Sequence, residues 1–241
     1  MTVSLSCVAT REYAELSCQA IETTLQNVKI AKIYWFSDID FPGKTGLEVV
    51  KVKIKPFDQK KNFNDQLSYI TLKLMPEVVQ TDYNLIVQYD GFAVNKAAWT
   101  DRFFDYDYIG SAVNYSWFSD GKKRVGNGGF SWRSKKLYRA FQKIGIKYRL
   151  NELPKAKKSR FRVDFADKFT GQSVPEDFII CCIYRKLLEK KYGIRFAPLG
   201  LADRFSIGVN VASPWVGKSL GFHGPFAVNF CNSVFYSLLK K

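Results

Sequence analysis

Apolar and polar positions in the first part of the chain follow the pattern of strands joined by a helix. Leu5–Ala9 and Lys29–Phe36 are short apolar runs, as buried strands are, and Glu12–Gln26 between them has the spacing of an amphipathic helix. A strand–helix–strand unit of this kind makes its two strands parallel. Val49–Ile54 alternates apolar residues with lysine, which predicts a half-exposed strand.

A further helix and an apolar strand follow. Asn64 or Asp65 can cap a helix that runs to Met75, and Pro76 is expected to end it. The run Tyr83–Tyr89 consists mostly of residues that favour burial, and it predicts a central strand.

Polar residues stand where these strands end, and ligands of open α/β sheets bind at the carboxyl ends of the strands. The residues expected at this edge are Thr10, Arg11, Asp38 and Asp90. We therefore predict a single domain over residues 1–241, in which residues 1–92 form the half that holds a nucleotide site and residues 93–241 form the other half.

The second half has a less regular pattern. Asp107–Gly110 predicts a short strand, and Ser134 can cap a helix that ends at Gly145. Val125–Ser131 holds three glycines, which allow the backbone to approach a ligand closely but suit a plain strand bend equally well. Asn151–Phe169 is basic and lacks a clear period, which predicts a long loop.

A second helix start is predicted after this loop. Ser173 and Glu176 have the spacing of a capping box, and the helix they open is expected to reach Lys191 and to end at Gly193. The box explains Glu176 without any catalytic role. The adjacent Asp177 is not needed for capping, and it is the better candidate for a general base.

Two further residues suggest metal or phosphate chemistry. Asp90 ends an apolar strand, where its carboxylate could bind a divalent ion, although Asp90 and Gly91 also suit an ordinary turn. His223 is the only histidine in the chain. A single histidine is more often structural, but this one lies in the glycine-flanked stretch Gly221–Gly224, which favours a metal or phosphate contact.

Composition supports a folded protein without disulfides. Apolar residues make up 46% of the 241 residues, enough to bury a sizeable core. The five cysteines form no CxxC pair and are odd in number, which favours small core residues over a disulfide frame or a zinc site. No run of about 20 apolar residues is present, and the opening residues lack a secretion signal, so a cytoplasmic location is expected.

The charge of the chain favours anionic partners. Lysine and arginine exceed aspartate and glutamate by 37 to 22, which gives a formal charge of +15. Nucleic acid, anionic lipid and an anionic nucleotide or glycan substrate are all compatible with such a surface. No zinc-finger spacing, aromatic RNA-binding strand or basic heptad is present, so a nucleic-acid partner is not expected.

Several motifs become recognisable when they are taken in order. They are Gln88–Phe92, Asp107–Gly110, Val125–Ser131, Pro175–Asp177, Phe196–Pro198 with Ala202 and Phe205–Ser206, and Gly221–Gly224. This set resembles a bacterial and viral domain-of-unknown-function family of glycosyltransferase-like proteins. More distantly, the chain is similar to inverting transferases of the GT-A fold. The resemblance implies an α/β fold with a Rossmann-like nucleotide-binding half and a mixed, mostly parallel central sheet flanked by helices.

The resemblance also implies roles for individual residues. Asp90 corresponds to the ligand of the metal and diphosphate, Asp177 with Glu176 to the catalytic acid pair, and His223 to a late metal ligand. The residues implied to contact the nucleotide sugar are Thr10, Arg11 and Asp38 by fold position, and Gln88, Tyr89, Asp90, Asn127, Gly128 and Gly129 by motif. Gln88 stands where many relatives have the first aspartate of an Asp-x-Asp motif, so lysine or arginine could share in neutralising the diphosphate.

These roles imply a glycosyltransferase of the hexosyl or pentosyl class that uses Mn²⁺ or Mg²⁺ and acts in polysaccharide biosynthesis. It would move a sugar, with inversion, from a nucleotide-diphosphate sugar to a hydroxyl of a glycan or lipid-linked acceptor. The basic stretch Lys155–Arg162 suggests peripheral contact with an anionic membrane.

Two other classes of protein remain open on the sequence alone. A glycoside hydrolase also uses two carboxylates, but it gives no purpose to the nucleotide-like half or to the positive charge. A non-enzymatic binder of nucleic acid or of a membrane surface explains the charge directly, but not the occurrence of Asp90, Asp177 and His223 together.

Overall fold

The computed structural model describes residues 1–56, 63–115, 122–153, 174–208 and 214–224. The strands are β1 (Val3–Val8), β2 (Lys32–Ser37), β3 (Val49–Lys53), β4 (Tyr83–Val87), β5 (Gly91–Ala93), β6 (Tyr108–Ile109), β7 (Ser111–Asn114), β8 (Lys123–Gly126), β9 (Ser131–Ser134), β10 (Ser206–Ile207) and β11 (Gly221–His223). The helices are α1 (Ala14–Asn27), α2 (Phe63–Tyr69), α3 (Met75–Val78), α4 (Lys135–Ile144), α5 (Glu176–Phe178), α6 (Arg185–Tyr192) and α7 (Leu199–Phe205). Wide π turns at Ile70–Leu74 and Ile179–Ile183 join α2 to α3 and α5 to α6, and short 3₁₀ turns cover Arg11–Tyr13, Lys96–Ala98, Asp101–Asp105 and Leu150–Glu152.

A six-stranded sheet in the order β3-β2-β1-β4-β9-β6 is the centre of the fold. The first four strands of this order run parallel, which confirms the pairing expected from the strand–helix–strand pattern. Strand β9 is antiparallel to β4, and β6 is antiparallel to β9. The predicted mixed, mostly parallel α/β sheet is therefore confirmed, and residues 1–92 and 93–241 both contribute strands to it.

Helices cover both faces of this sheet, so its central strands are buried on both sides. On β2, Trp35 packs with the cluster that includes α1 and α7, whereas Phe36 packs with the cluster that includes α2 to α6. Both side chains are fully buried. Burial on both faces is why the strands read as apolar runs rather than as an alternating pattern.

One face of the central sheet also buries polar side chains. Ser4 and Ser6 of β1 donate hydrogen bonds to Oδ1 of Asn84 on β4, at 3.0 and 2.9 Å. Asn84 in turn donates to the hydroxyl of Tyr138 at 2.7 Å. These buried groups bond to each other, which avoids the cost of unsatisfied polar atoms in a core.

The helix predicted to end at Pro76 continues to Val78, so that prediction was wrong. In the π turn before the proline, the Met75 amide donates to the carbonyl of Ile70, five residues back. The proline therefore lies at the start of a new helical segment, where its missing N–H is not needed.

The prediction of a capping box at Ser173 and Glu176 was also wrong. The helix begins at Glu176 itself with Pro175 as its N-cap, and no side chain caps it. Glu176 is therefore the first helical residue and not the third. Ser173 lies outside the described residues. The predicted end of this helix is confirmed, because α6 stops at Tyr192 and Gly193 adopts a left-handed conformation with φ 61°.

Other predicted elements agree with the structure. Ser134 caps α4 by accepting a hydrogen bond from the Leu137 amide at 3.1 Å, and Gly145 ends it with φ 61°. The cysteines within the described ranges are free and buried, as expected: Cys7, Cys18, Cys181 and Cys182.

Most of the predicted basic loop, including Lys155–Arg162, lies outside the described residues. In the part of the chain that the structure covers, no helix has the length and apolarity of a membrane span.

Candidate active site

The carboxyl end of β4 turns sharply and presents Asp90. Gln88 and Gly91 exchange two backbone hydrogen bonds of 2.9 and 3.0 Å, so Tyr89 and Asp90 form the corner of a tight turn. The interpretation of Asp90 and Gly91 as part of a turn is therefore confirmed. The Asp90 side chain is nevertheless buried, with 8% of the residue exposed. Its Oδ1 atom has no hydrogen-bond partner among the described residues.

A second, three-stranded sheet brings His223 to this turn. Strand β5 follows Asp90 directly and pairs antiparallel with β11, which sets His223 opposite Gly91. The imidazole Nε2 lies 3.1 Å from Gln88 Oε1 and 3.5 Å from Asp90 Oδ1. Residues 88, 90 and 223, which are distant in the sequence, thus form one cluster.

Asn127 connects this cluster to the helix that carries the acid pair. Its side-chain Oδ1 contacts His223 Nδ1, and its backbone N–H donates to Asp177 Oδ2 at 3.0 Å. Asn127 makes both contacts with a left-handed backbone, φ 64°, which asparagine tolerates better than most residues. One residue therefore links the histidine to the candidate base.

Asp177 is half-buried and one of its oxygens is held in place. The hydroxyl of Tyr115 donates to Asp177 Oδ2 at 2.7 Å, on the same oxygen that accepts from the Asn127 amide. Burial, with a smaller contribution from the charge of Asp177, raises the pKa of Tyr115 well above its ordinary value, so the phenol stays a donor. Oδ1 of Asp177 accepts no hydrogen bond from the described residues.

Glu176 is buried and forms an ion pair in the interior. Arg133 Nη2 donates to Glu176 Oε1 at 3.1 Å, and the exposed fractions of the two side chains are 0% and 6%. Burial raises the pKa of Glu176, the charge of Asp177 raises it further, and Arg133 opposes both. The ion pair with Arg133 therefore accounts for the glutamate at position 176, and the predicted capping role does not.

The glycines between Asn127 and β9 allow close approach of the backbone to these side chains. A Cβ atom on Gly128 would collide with Glu176 Oε1, and one on Gly129 would collide with His223 Nε2. The glycines therefore do allow a close approach to the backbone, whereas the approach of a ligand to this stretch stays a prediction. The groups approached are the chain's own side chains.

The predicted nucleotide-contacting residues of the first half lie at the carboxyl ends of β1 and β2. Arg11, which is largely exposed, forms an ion pair of 3.2 Å with Asp38. Thr10 is nearly buried, and its hydroxyl has no hydrogen-bond partner among the described residues. In the described ranges, no hydrogen bond or ion pair joins Thr10, Arg11 or Asp38 to the Asp90–His223 cluster.

A pair of stacked tyrosines connects this region to the Asp90 turn. The rings of Tyr13 and Tyr89 are 4.3 Å apart with an interplanar angle of 21°. Burial, followed by the neighbouring Asp90 charge, raises the pKa of Tyr89 to about 12. Tyr89 therefore stays neutral and offers an aromatic ring beside the carboxylate.

Sequence reasoning missed three residues of this site: Tyr13, Tyr115 and Arg133. Arg133 lies in the short strand Ser131–Ser134, just before a helix whose cap the sequence does indicate. Its role could not be predicted, because its partner Glu176 is 43 residues away. The two tyrosines belong to no motif, and only the fold brings them to Tyr89 and Asp177.

The donor set around Asp90 fits a hard divalent ion. Asp90 Oδ1 lacks a hydrogen-bond partner, the His223 ring can hold its proton on Nδ1 toward Asn127 and leave Nε2 as a ligand, and Gln88 adds an amide oxygen. Only Asp90 and His223 belong to the residue types that commonly bind metals strongly. Within the described residues no cluster of three histidine, cysteine, aspartate or glutamate side chains is found.

Similarity to solved structures was found at the level of the fold. The galactosyltransferase LgtC, in complex with donor and acceptor sugar analogs, is 14% identical with a TM-score of 0.53, and the match covers 92% of this chain and 87% of LgtC. Its active-site mutant Q189E gives 14% identity and a TM-score of 0.51, with 92% and 88% covered.

The apo-form glycosyltransferase GlyE of Streptococcus pneumoniae TIGR4 is 11% identical with a TM-score of 0.52, and the match covers 92% of this chain and 54% of GlyE. These neighbours share the GT-A fold expected from the sequence. A comparison with curated protein sequences gave no significant match.

The sequence profile of one protein family matches the chain over residues 48–223. These limits enclose the Asp90 turn, the Asn127 loop, the acid pair and His223. The match covers most of the chain, and it agrees with the resemblance to a domain-of-unknown-function family of glycosyltransferase-like proteins. The chain belongs to the family described as protein of unknown function (DUF5672).

Proposed function

We propose that the protein is a glycosyltransferase that moves a sugar from a nucleotide-diphosphate sugar to a hydroxyl of a glycan or lipid-linked acceptor. The observation that carries this proposal is the convergence of Asp90, His223 and Asp177 through Asn127 beside the carboxyl end of β4. Ligands of α/β sheets bind at that edge. The fold shared with LgtC, whose structure contains donor and acceptor sugar analogs, supports the same class of reaction.

In this proposal the Asp90 cluster binds the diphosphate end of the donor. Asp90 and His223, with the amide oxygen of Gln88 beside them, would hold Mn²⁺ or Mg²⁺. The ion would supply positive charge that stabilises the departing nucleoside diphosphate. The tyrosine pair Tyr13 and Tyr89, together with Thr10, Arg11 and Asp38, would bind the nucleoside.

Asp177 is the proposed general base. Oδ2 is occupied by Tyr115 and Asn127, which fixes the carboxylate, while Oδ1 can accept a proton. An acceptor hydroxyl would give its proton to Oδ1 as its oxygen bonds to the anomeric carbon and the bond to the diphosphate oxygen breaks. Such a direct displacement inverts the anomeric configuration. Glu176 acts on the position of Asp177 and does not take the proton, because Arg133 holds it in the interior.

The glycoside hydrolase and the non-enzymatic binder make different demands on the same residues. A hydrolase acting by two carboxylates needs both to reach the sugar. Glu176 is buried against Arg133, which leaves only Asp177 accessible. A binder that uses surface charge alone leaves the partly buried connection of Asp90, His223, Asn127 and Asp177 without a purpose.

The first prediction concerns the donor. A thermal-shift screen of nucleotide sugars, with and without Mn²⁺, is expected to find at least one nucleotide sugar that raises the melting temperature, because a ligand that binds the native state stabilises it. The corresponding free sugars serve as controls. If no nucleotide sugar shifts the transition while DNA or anionic vesicles bind, the chain is a binder and not a transferase.

The second prediction tests the base. Asp177→Asn keeps an oxygen that accepts from Tyr115 and Asn127 but removes proton acceptance, so kcat should fall by about 100- to 10,000-fold while donor binding is unchanged. Asp101→Asn makes the same chemical change at an exposed position away from the site and should retain full activity. Near-normal turnover of Asp177→Asn, or a product that retains the donor's anomeric configuration by NMR, would remove Asp177 from this role.

The third prediction tests whether Glu176 serves as the buried partner of Arg133. Arg133→Met should lower the free energy of unfolding by about 3–5 kcal/mol, because it leaves a buried carboxylate without its partner. Arg149→Met, which breaks an exposed pair with Asp65, should cost less than about 1 kcal/mol. Urea denaturation measures both. The double variant Arg133→Met/Glu176→Leu should recover most of the loss, and no recovery would contradict a paired role for Glu176.

The fourth prediction tests the metal ligand. His223→Ala should raise the Mn²⁺ concentration required for half-maximal activity by about tenfold or more, because it removes one of two strong ligands. Binding of Mn²⁺ in the presence of donor nucleotide, followed by EPR, should weaken in parallel. An unchanged metal titration by both measurements would show that His223 does not hold the ion.

A further inference from the structure

The imidazole ring of His223 is held in one orientation by backbone on two of its edges. A Cβ atom on Gly91 would collide with Cδ2 of the ring, and one on Gly129 would collide with Nε2. The backbone of both glycines therefore packs directly against the imidazole. Each ring nitrogen consequently has fixed neighbours, and the chemistry of those neighbours decides what each nitrogen can do.

The side chain of Asn127 contacts His223 at two places, and one of them fixes the orientation of its amide. Asn127 Nδ2 donates to the backbone carbonyl oxygen of His223 at 3.4 Å, and Asn127 Oδ1 contacts the ring nitrogen Nδ1. A carbonyl oxygen can only accept a hydrogen bond, so the NH₂ group of the amide belongs on that side. Exchanging the two amide atoms would set oxygen against oxygen. The amide oxygen of Asn127 therefore faces Nδ1.

This orientation determines where the neutral imidazole carries its proton. An amide oxygen only accepts, so the ring nitrogen that faces it must be the one with the N–H. A neutral ring has a single N–H, and Nε2 is then left with a free lone pair. That lone pair lies near two further oxygens, Gln88 Oε1 at 3.1 Å and Asp90 Oδ1 at 3.5 Å. Three electron-pair donors this close together suit a shared cation.

The backbone of Asn127 has a separate task. Its N–H donates to Asp177 Oδ2 at 3.0 Å, from the left-handed conformation with φ 64°. Glycine adopts this conformation freely, and asparagine and aspartate adopt it more readily than other residues do. Glycine at position 127 would thus keep the backbone contact with Asp177 but would offer His223 no oxygen. Asparagine meets both demands.

We propose that Asn127 is a positioning residue whose side chain keeps the proton of His223 on Nδ1, so that Nε2 stays available to a divalent ion beside Asp90. This role differs from the contact between Asn127 and the nucleotide sugar expected from the sequence, which stays a prediction. The use of the ion in sugar transfer rests on the proposed function. The position of the proton on the ring does not, because it follows from the contacts of Asn127 alone.

NMR can test the proton position directly, because His223 is the only histidine in the chain. Long-range ¹H–¹⁵N correlation spectra of protein without a histidine tag show which ring nitrogen carries the proton, and they need neither metal nor substrate. The pH is raised until the ring signals no longer change, so that the ring is neutral. Wild type should carry the proton on Nδ1.

Three variants test whether Asn127 sets this position. Asn127→Gly keeps the backbone but removes the amide oxygen, so the proton should move to Nε2, where Gln88 Oε1 can accept it. Asn127→Asp keeps an acceptor oxygen and should retain the proton on Nδ1, with its resonance at lower field because a carboxylate accepts more strongly. Asn64→Gly makes the same exchange as the first variant at an exposed position of helix α2 and should match wild type.

Binding of Mn²⁺ alone, followed by EPR, gives a second measurement on the same proteins. Asn127→Gly should bind Mn²⁺ about 10- to 100-fold more weakly than wild type, which is the usual cost of removing the partner that orients a metal-binding histidine. Asn64→Gly should bind it as wild type does. A loss confined to the variant whose proton has moved would connect the proton position to metal binding.

Several outcomes would overturn the inference. They are a proton on Nε2 in wild type, a proton that stays on Nδ1 in Asn127→Gly, and equal Mn²⁺ affinity of wild type and Asn127→Gly. If Asn127→Gly does not fold, Asn127→Asp decides, because an unshifted Nδ1 proton would mean that residue 127 does not accept it.

Failure of the transferase proposal can be told apart from failure of this inference. The thermal-shift screen with nucleotide sugars tests the transferase, whereas the ring spectra require no ligand. If no nucleotide sugar binds and the proton moves as expected, the positioning role of Asn127 stands without sugar transfer. If nucleotide sugars bind and the proton does not move, only the role of Asn127 is refuted.

Discussion

The left-handed backbone of Asn127 is the constraint on which the candidate site depends. In this conformation the amide of Asn127 reaches Asp177 while its side chain reaches His223, so one residue sets the relation between the helix start and β11. The adjacent Gly128 and Gly129 allow Glu176 and His223 to approach the backbone at distances that any side chain would prevent. The spacing between the proposed diphosphate end and the base end of the site therefore follows from a single loop between β8 and β9.

Burial gives the two neighbouring acids different chemical properties. Glu176 lies in the interior against Arg133, and most of its interactions are already made before any substrate binds. Asp177 stands at the boundary of the core, with one oxygen fixed by Tyr115 and Asn127. A buried ion pair contributes little net stability but is costly to break, so the Arg133–Glu176 pair holds the helix start in position. The orientation of Asp177 depends on that position.

The excess positive charge of the chain serves more than one purpose in this fold. Arg133 neutralises a buried carboxylate, and Arg11 pairs with Asp38 at the carboxyl edge of the parallel strands.

Most of the elements and the class of the fold followed from local patterns in the amino-acid sequence. Apolar runs fixed β1, β2 and β4 because both faces of these strands are buried, and the crossover helix made them parallel. Local patterns also identified the Ser134 cap and the Gly193 helix end, since these depend on neighbouring residues alone. The partners of Glu176, His223 and Asn127 depend on the folding of the whole chain, because contacts across 43 to 135 residues leave no local pattern. The capping box failed for that reason: the buried Arg133 was available to Glu176 in the fold, and nothing near Glu176 in the sequence indicated it.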